Sequence, residues 1–243
     1  MRHQRFCRVG IRIIFGFAIA LIAVAFKDVE EAAPIPLQSV AVLQGKILFE
    51  GTPPTPKRIA MNADPYCQQF TGTTEDYRVT DGGLENVMVY VSSAVNGTFP
   101  SPSEPVTLDQ AECRFMPHVL TLQAGQKLIA RNNNETAQNI HAWSQINPPF
   151  NVSLARRGAA LEHVFDKAEP PFPIRCDVHN WEVAFVGVFS HPFHTVSRSG
   201  GAFELRLPPG EHQITAWHEK LGSSQQVVRV APTDNPPLYF VFK

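Results

Sequence analysis

Apolar residues recur along this chain in short runs. Several alternate with polar residues, and Pro, Gly, Asn or Ser punctuate the gaps between them. Gly45-Lys-Ile-Leu-Phe-Glu-Gly51 alternates as a strand does, and a Thr-Pro-Pro-Thr-Pro turn follows it. Asn86–Val91 reads as a stronger strand, and Val95–Pro105 as a loop. Val119–Leu122 and Lys127–Arg131 flank the Ala124-Gly125 turn, and Asn139–Trp143 follows the polar turn Asn132–Thr136. Further strands are predicted at Phe172–Cys176, Ala184–Phe189, Ala202–Leu207, Gln213–Trp217, Gln226–Val230 and Tyr239–Phe242. Short strands at even spacing, with few helical repeats, predict an all-β protein built of sandwiches.

The first residues break this pattern. Arg2, Arg5, Arg8 and Arg12 precede the uncharged apolar run Ile13–Phe26. A basic segment before a short apolar one is the form of an export signal. The run is short for a membrane span, which needs ~20 apolar residues. No clean small-x-small cleavage site follows, Ala23-Val24-Ala25 being the nearest, so an uncleaved N-terminal anchor stays open beside a cleaved signal. Cys7 lies before the apolar run, so no lipobox is present. Either outcome places the bulk of the chain in the periplasm or another extracytoplasmic space, with membrane contact only through this segment if it is uncleaved. Lys27–Gln38 reads as a proline-containing linker.

Composition narrows the classes. The 243 residues are 44% hydrophobic and carry a net charge of −1, so no basic excess points to nucleic acid. Paired catalytic carboxylates, a nucleophile elbow and a phosphate-cradling glycine loop are all missing from the sequence, so no enzyme is expected. Beyond Cys7 there are three cysteines, Cys67, Cys113 and Cys176. In an oxidising compartment two should pair. Cys67 and Cys113 lie in turn-like polar stretches, whereas Cys176 ends an apolar run and stands three positions before His179. The economical reading is a Cys67–Cys113 disulfide, with Cys176 kept for chemistry; a buried inert thiol is the bland alternative.

Three pieces of the central segment resemble the cupredoxins, the blue-copper β-sandwich proteins. They are Pro117–Gly125, Arg131–Ile140 and Cys176-Asp-Val-His-Asn-Trp-Glu182, the last similar to a ligand loop of the amicyanin type. The flanks, Gly45–Phe49, Asn86–Val91, Ser199–Leu205 and Leu207–Trp217, resemble a carboxypeptidase-regulatory-like, or transthyretin-like, sandwich. Together they imply a Greek-key cupredoxin-like domain at 100–192, inserted into a split sandwich at 45–98 and 194–243, behind the targeting segment and linker of 1–34. Exposed loops tolerate such insertions. The arrangement is also similar to exported bacterial proteins loosely termed methylamine-utilisation-like.

The resemblance implies a metal site, with Cys176 and His179 in ligand positions. Blue copper requires two imidazoles and a thiolate with a weak axial group. Here Gln138 stands where the family has its first histidine, and Glu182 where it has its axial methionine. An amide oxygen is a poorer equatorial donor than imidazole. A carboxylate is a hard anionic donor that favours Cu(II) or Zn(II) over Cu(I) and lowers a copper potential. His141 could stand in for the missing imidazole only if a bulge turned it to the face of Gln138, since an odd offset along a strand points the other way. His118 could reach the edge of the site from a neighbouring strand. His191 and His194 read as a polar turn, His218 as a rim residue, and Trp143 and Trp181 as core or site-wall aromatics.

Two readings follow. One is a protein that binds copper, or zinc, for electron transfer or copper handling with an exported redox or protein partner. The other is a metal-free β-sandwich module for a glycan or protein, in which Glu182 is a solvated residue.

Overall fold

The structure is a computed structural model that describes residues 40–243. The targeting segment and the linker lie outside the described residues. Among the described residues, no helix is long and apolar enough to cross a membrane.

The described residues are all-β and form four sheets. Strands from its two ends build the first two. In one, β1 (Ala41–Phe49) pairs antiparallel with β15 (Ala202–Leu207) and parallel with β18 (Leu238–Phe242), and the short β2 (Val79–Thr80) and β3 (Gly83–Leu84) complete it. In the other, the order is β14 (His194–Val196), β4 (Met88–Val91), β16 (Gly210–His218) and β17 (Gly222–Val230). The alternation legible at Gly45–Phe49 and Ala202–Leu207 is the alternation of burial. Leu43, Ile47, Phe203, Leu205 and Leu207 turn inward onto Val89, Ile214, Ala216 and Phe240 in one apolar core.

The middle of the chain builds the other two sheets around a second core. One runs β10 (Phe150–Leu154), β9 (Gln138–Ala142), β12 (Glu169–Arg175), β13 (Val183–Phe189) and β7 (Val119–Gln123), with β13 and β7 parallel. The other runs β11 (Ala160–Val164), β8 (Lys127–Asn132), β5 (Val106–Ala111) and β6 (Arg114–Met116). The ladder pairs of this sheet couple stay within the segment from β5 to β13. The two couples pack together where Phe189 meets Tyr90 and Phe185 meets Trp217. Gly187 belongs to this seam, because a Cβ there would lie 2.8 Å from Met88 Sδ.

Several local expectations change. The strand expected from Asn86 starts at Met88, since Asn86 has φ 61°, a left-handed turn conformation. β10 and β11 were not expected. Many of their positions face solvent, so no strong apolar alternation marks them. His218 is not a rim residue; its ring is buried between Tyr77 and Phe242.

A loop from Glu50 to Arg78, between β1 and β2, lies against the middle sandwich. Its Ile59, Met61, Tyr66 and Phe70 pack with Trp181 around the Cys67–Cys113 disulfide. The bond joins this loop to the β5–β6 turn, where Glu112 and Cys113 both have positive φ. The loop brings residues from outside the middle sandwich to the end that carries Cys176.

Candidate metal centre

The loop from Cys176 to Glu182 is closed by its own backbone. Cys176 N–H donates to Glu182 O at 3.2 Å, and Glu182 N–H donates to His179 O at 2.9 Å. Asn139 Oδ1 accepts from the backbone N–H groups of Asp177 and Val178, which fixes the start of the turn against β9. These bonds turn the side chains of Cys176, His179 and Glu182 inward together.

They meet Gln138. Its Oε1 accepts from the Cys176 thiol at 3.1 Å and lies 2.9 Å from His179 Nδ1. Cys176 Sγ is 3.8 Å from the same ring nitrogen, and Glu182 Oε1 is 3.1 Å from it. That last contact is close but poorly aligned, and Glu182 Oε1 has no hydrogen-bond partner although it is buried. One donor atom each from Cys176, His179 and Glu182 lie within 4.8 Å of one another. His179 is 1% exposed and Glu182 2%. Glu182 is therefore no solvated loop residue.

Two residues that the sequence did not single out complete the setting. Gln110, on β5, donates from Nε2 to Gln138 Oε1 and to Glu182 Oε2, each at 3.1 Å. Asp64, from the Glu50–Arg78 loop, places Oδ2 3.2 Å from His179 Nε2. Trp181 covers the His179 ring at 5.0 Å between centroids and donates from Nε1 to Cys113 O. Burial opposes a charge on His179. Its contacts with Cys176, Glu182 and Asp64, with the charge of Glu182, outweigh it and raise the imidazole to about 10. Asp64 moves the other way. Burial opposes its ionisation too, but bonds from Thr136, His179 and the backbone of Cys67 and Tyr66 hold it at about 2.

The remaining candidates are engaged elsewhere. β9 and β10 stay in regular register from Gln138 to Ala142, so no bulge turns His141 toward Gln138. His141 instead pairs with Asp177 at 3.0 Å. His118 lines a small cavity of about 160 Å³ beside Trp181 and Glu182, at the edge of the site, but pairs with Glu219 and Val183 O. His191 binds Val91 O, and His194 binds Thr121 Oγ1. Both stack on Phe189, and His191 also on Phe193, so they belong to packing and not to a polar turn. Asp64, Cys67 and His179 also cluster, but the Cys67 sulfur is in a disulfide and offers no thiolate.

The donor set fits a transition metal. It offers a soft thiol, an imidazole nitrogen and a carboxylate in a buried pocket, and one carboxylate oxygen is without an aligned donor. It also departs from the blue-copper set by lacking a second imidazole.

No family model matches the chain, and no curated protein does. Among solved structures, part of the chain is similar to a purple cupredoxin from Nitrosopumilus maritimus: 20% identity, over 34% of this chain and 98% of that one, TM-score 0.30. Amicyanin from Paracoccus versutus matches at 17% identity over 41% of this chain and 96% of that one, TM-score 0.31. A copper-containing nitrite reductase from Thermus scotoductus matches at 19% over 41% of this chain and 25% of that one, TM-score 0.33.

Proposed function

We propose that this protein binds copper, with zinc as the competing ion, through Cys176, His179 Nδ1 and Glu182, with Gln138 Oε1 as the neighbouring oxygen donor. One observation carries the reading. Three chemically different donors converge within 4.8 Å in a buried pocket, and one of their oxygens has no aligned donor of its own. When bound, copper would supply one-electron redox chemistry. The protein's part is to hold a thiolate and a carboxylate in a pocket closed to water. That closure suits holding copper better than exchanging electrons across an exposed ligand edge, since His179 is buried.

The protein is read as a binding protein, not an enzyme. The Cys67–Cys113 disulfide supports an extracytoplasmic home. The sheet couple formed by the two chain ends is read as the carboxypeptidase-regulatory-like sandwich, with the middle couple inserted into it.

The test is metal content and visible absorption of wild type and Cys176→Ser after copper or zinc addition. Wild type should retain one ion per chain at micromolar concentration, and Cys176→Ser should retain far less. Equal uptake by the two, or no uptake by wild type, would leave the metal-free module. That second reading has its own support in Trp143. The residue is 49% exposed, with the Arg175 guanidinium 5.2 Å from its ring centroid, a platform suited to a glycan or a protein side chain.

A further inference from the structure

Asp64 uses its two carboxylate oxygens for different purposes. Oδ1 accepts from the backbone N–H groups of Tyr66, at 2.7 Å, and Cys67, at 3.1 Å, which forms the turn that carries the disulfide. That task needs only one oxygen. Oδ2 faces away from the turn, accepts from Thr136 Oγ1 at 2.7 Å and lies 3.2 Å from His179 Nε2. The other ring nitrogen faces Cys176, Gln138 and Glu182. The loop bearing Asp64 is fixed at this end of the sandwich by Cys67–Cys113 and by packing of Tyr66, Phe70 and Trp181.

Resting on the metal reading above, we infer that Asp64 is a positioning residue for the metal. It holds the proton on His179 Nε2, so that Nδ1, which faces Cys176, Gln138 and Glu182, is the nitrogen that gives up its proton to a metal. A neutral imidazole carries one ring proton, and the partner of one nitrogen decides which nitrogen is free to bind metal. The part of the chain outside the middle sandwich thus supplies the second layer of the site.

Asp64→Asn separates this role from the turn. Asparagine keeps a side-chain oxygen for Tyr66 and Cys67, so the turn persists. Its NH2 group then takes the place of Oδ2. An amide NH2 only donates, so the neutral ring must present the Nε2 lone pair to it and carry its proton on Nδ1. Zn(II) affinity, measured against a chromophoric chelator, should fall about 10–100-fold, the usual effect of losing an outer partner of a ligating histidine. Thr136→Val, which removes the other partner of Oδ2, should change it much less.

Nitrogen-15 NMR of the zinc-loaded wild type should show His179 bound through Nδ1 with a proton on Nε2, a signature that turn formation alone does not set. Unchanged zinc affinity in Asp64→Asn, or zinc on Nε2 in wild type, overturns the inference and leaves the metal reading standing. If wild type takes up no zinc and no copper, both fall together.

Discussion

The side-chain amide of Gln110 reaches Glu182 Oε2 at 3.1 Å, across 72 positions of sequence. The same nitrogen serves Gln138 Oε1 at 3.1 Å. Two side chains of the candidate centre thus share one donor, on a strand of the opposite sheet. Gln110→Leu would leave the buried Glu182 Oε2 without this donor, while Gln138 Oε1 keeps the Cys176 thiol. Stability of the metal-free protein should fall by about 2–3 kcal/mol, the cost of unpairing such a group. Chemical denaturation should show a lower midpoint at unchanged slope. A midpoint equal to wild type would mean that water replaces Gln110 and that the pocket is not dry.

A second prediction concerns the disulfide. Cys67 and Cys113 are 46 positions apart, and their bond closes a loop across the two parts of the chain. In the chain-entropy account such a closure contributes about 4 kcal/mol. The double variant Cys67→Ser, Cys113→Ser should lose that amount, and more of it should appear as faster unfolding if the loop docks late in folding. Thiol titration of denatured, unreduced protein lacking the segment that contains Cys7 should find one thiol, Cys176. Three thiols would exclude the bond.

How much of this was readable in the sequence depends on distance along the chain. Cys176, His179 and Glu182 lie in one short loop, so their spacing alone put them together. Gln138 was found through its likeness to a family position on the facing strand. Asp64 and Gln110 carried no local signal, because one sits in a proline-rich loop and the other on a strand not anticipated from its pattern. Only the fold brings Asp64 beside His179, 115 positions away. The strands that were legible turn apolar side chains into a core, as β1 and β15 do. β11 was not, since none of its residues is fully buried. His218 misled because Trp217-His218-Glu219 is locally polar, whereas tertiary packing buries its ring.

Acid stability should report a network far from the centre. Glu169 accepts from Ser144 Oγ, from Asn147 Nδ2 and from the backbone N–H groups of Gln145, Ile146 and Asn147. Burial opposes its ionisation, but the bonds from Ser144, Asn147 and Gln145 outweigh it and hold the carboxyl at about 2, below its ordinary 4.5. A carboxyl depressed in the folded state contributes stability that is fully present above the unfolded value. That stability is lost as pH falls through the folded one. The loss should therefore run from about pH 4.5 to about pH 2. Asp64, also held at about 2, contributes in the same region. Glu169→Gln should lower stability at pH 7 by on the order of 2–3 kcal/mol and flatten the acid slope. Identical slopes for variant and wild type would show that Glu169 titrates as it does in the unfolded chain.

The last prediction separates two departures of the donor set from blue copper. Glu182 offers a hard anionic oxygen, and Gln138 a neutral amide oxygen, where softer or more basic donors are usual. If copper binds at Cys176 and His179, a carboxylate beside it should stabilise Cu(II), give a red or pale form and lower the potential. Glu182→Met removes the negative charge and should move the visible absorption toward blue and the potential upward. It also frees Gln110 Nε2 of one acceptor but leaves it Gln138 Oε1, so the fold should tolerate the change. Gln138→His instead adds an imidazole on a buried β9 position that already points at Cys176 Sγ and His179 Nδ1. An equatorial imidazole contributes more than a weak axial group, so copper affinity should rise more in Gln138→His than in Glu182→Met. Chelator competition and redox titration of the three proteins decide the order. A Glu182→Met protein whose spectrum and potential match wild type would place the carboxylate outside the metal's ligands and leave its buried oxygen to Gln110 alone.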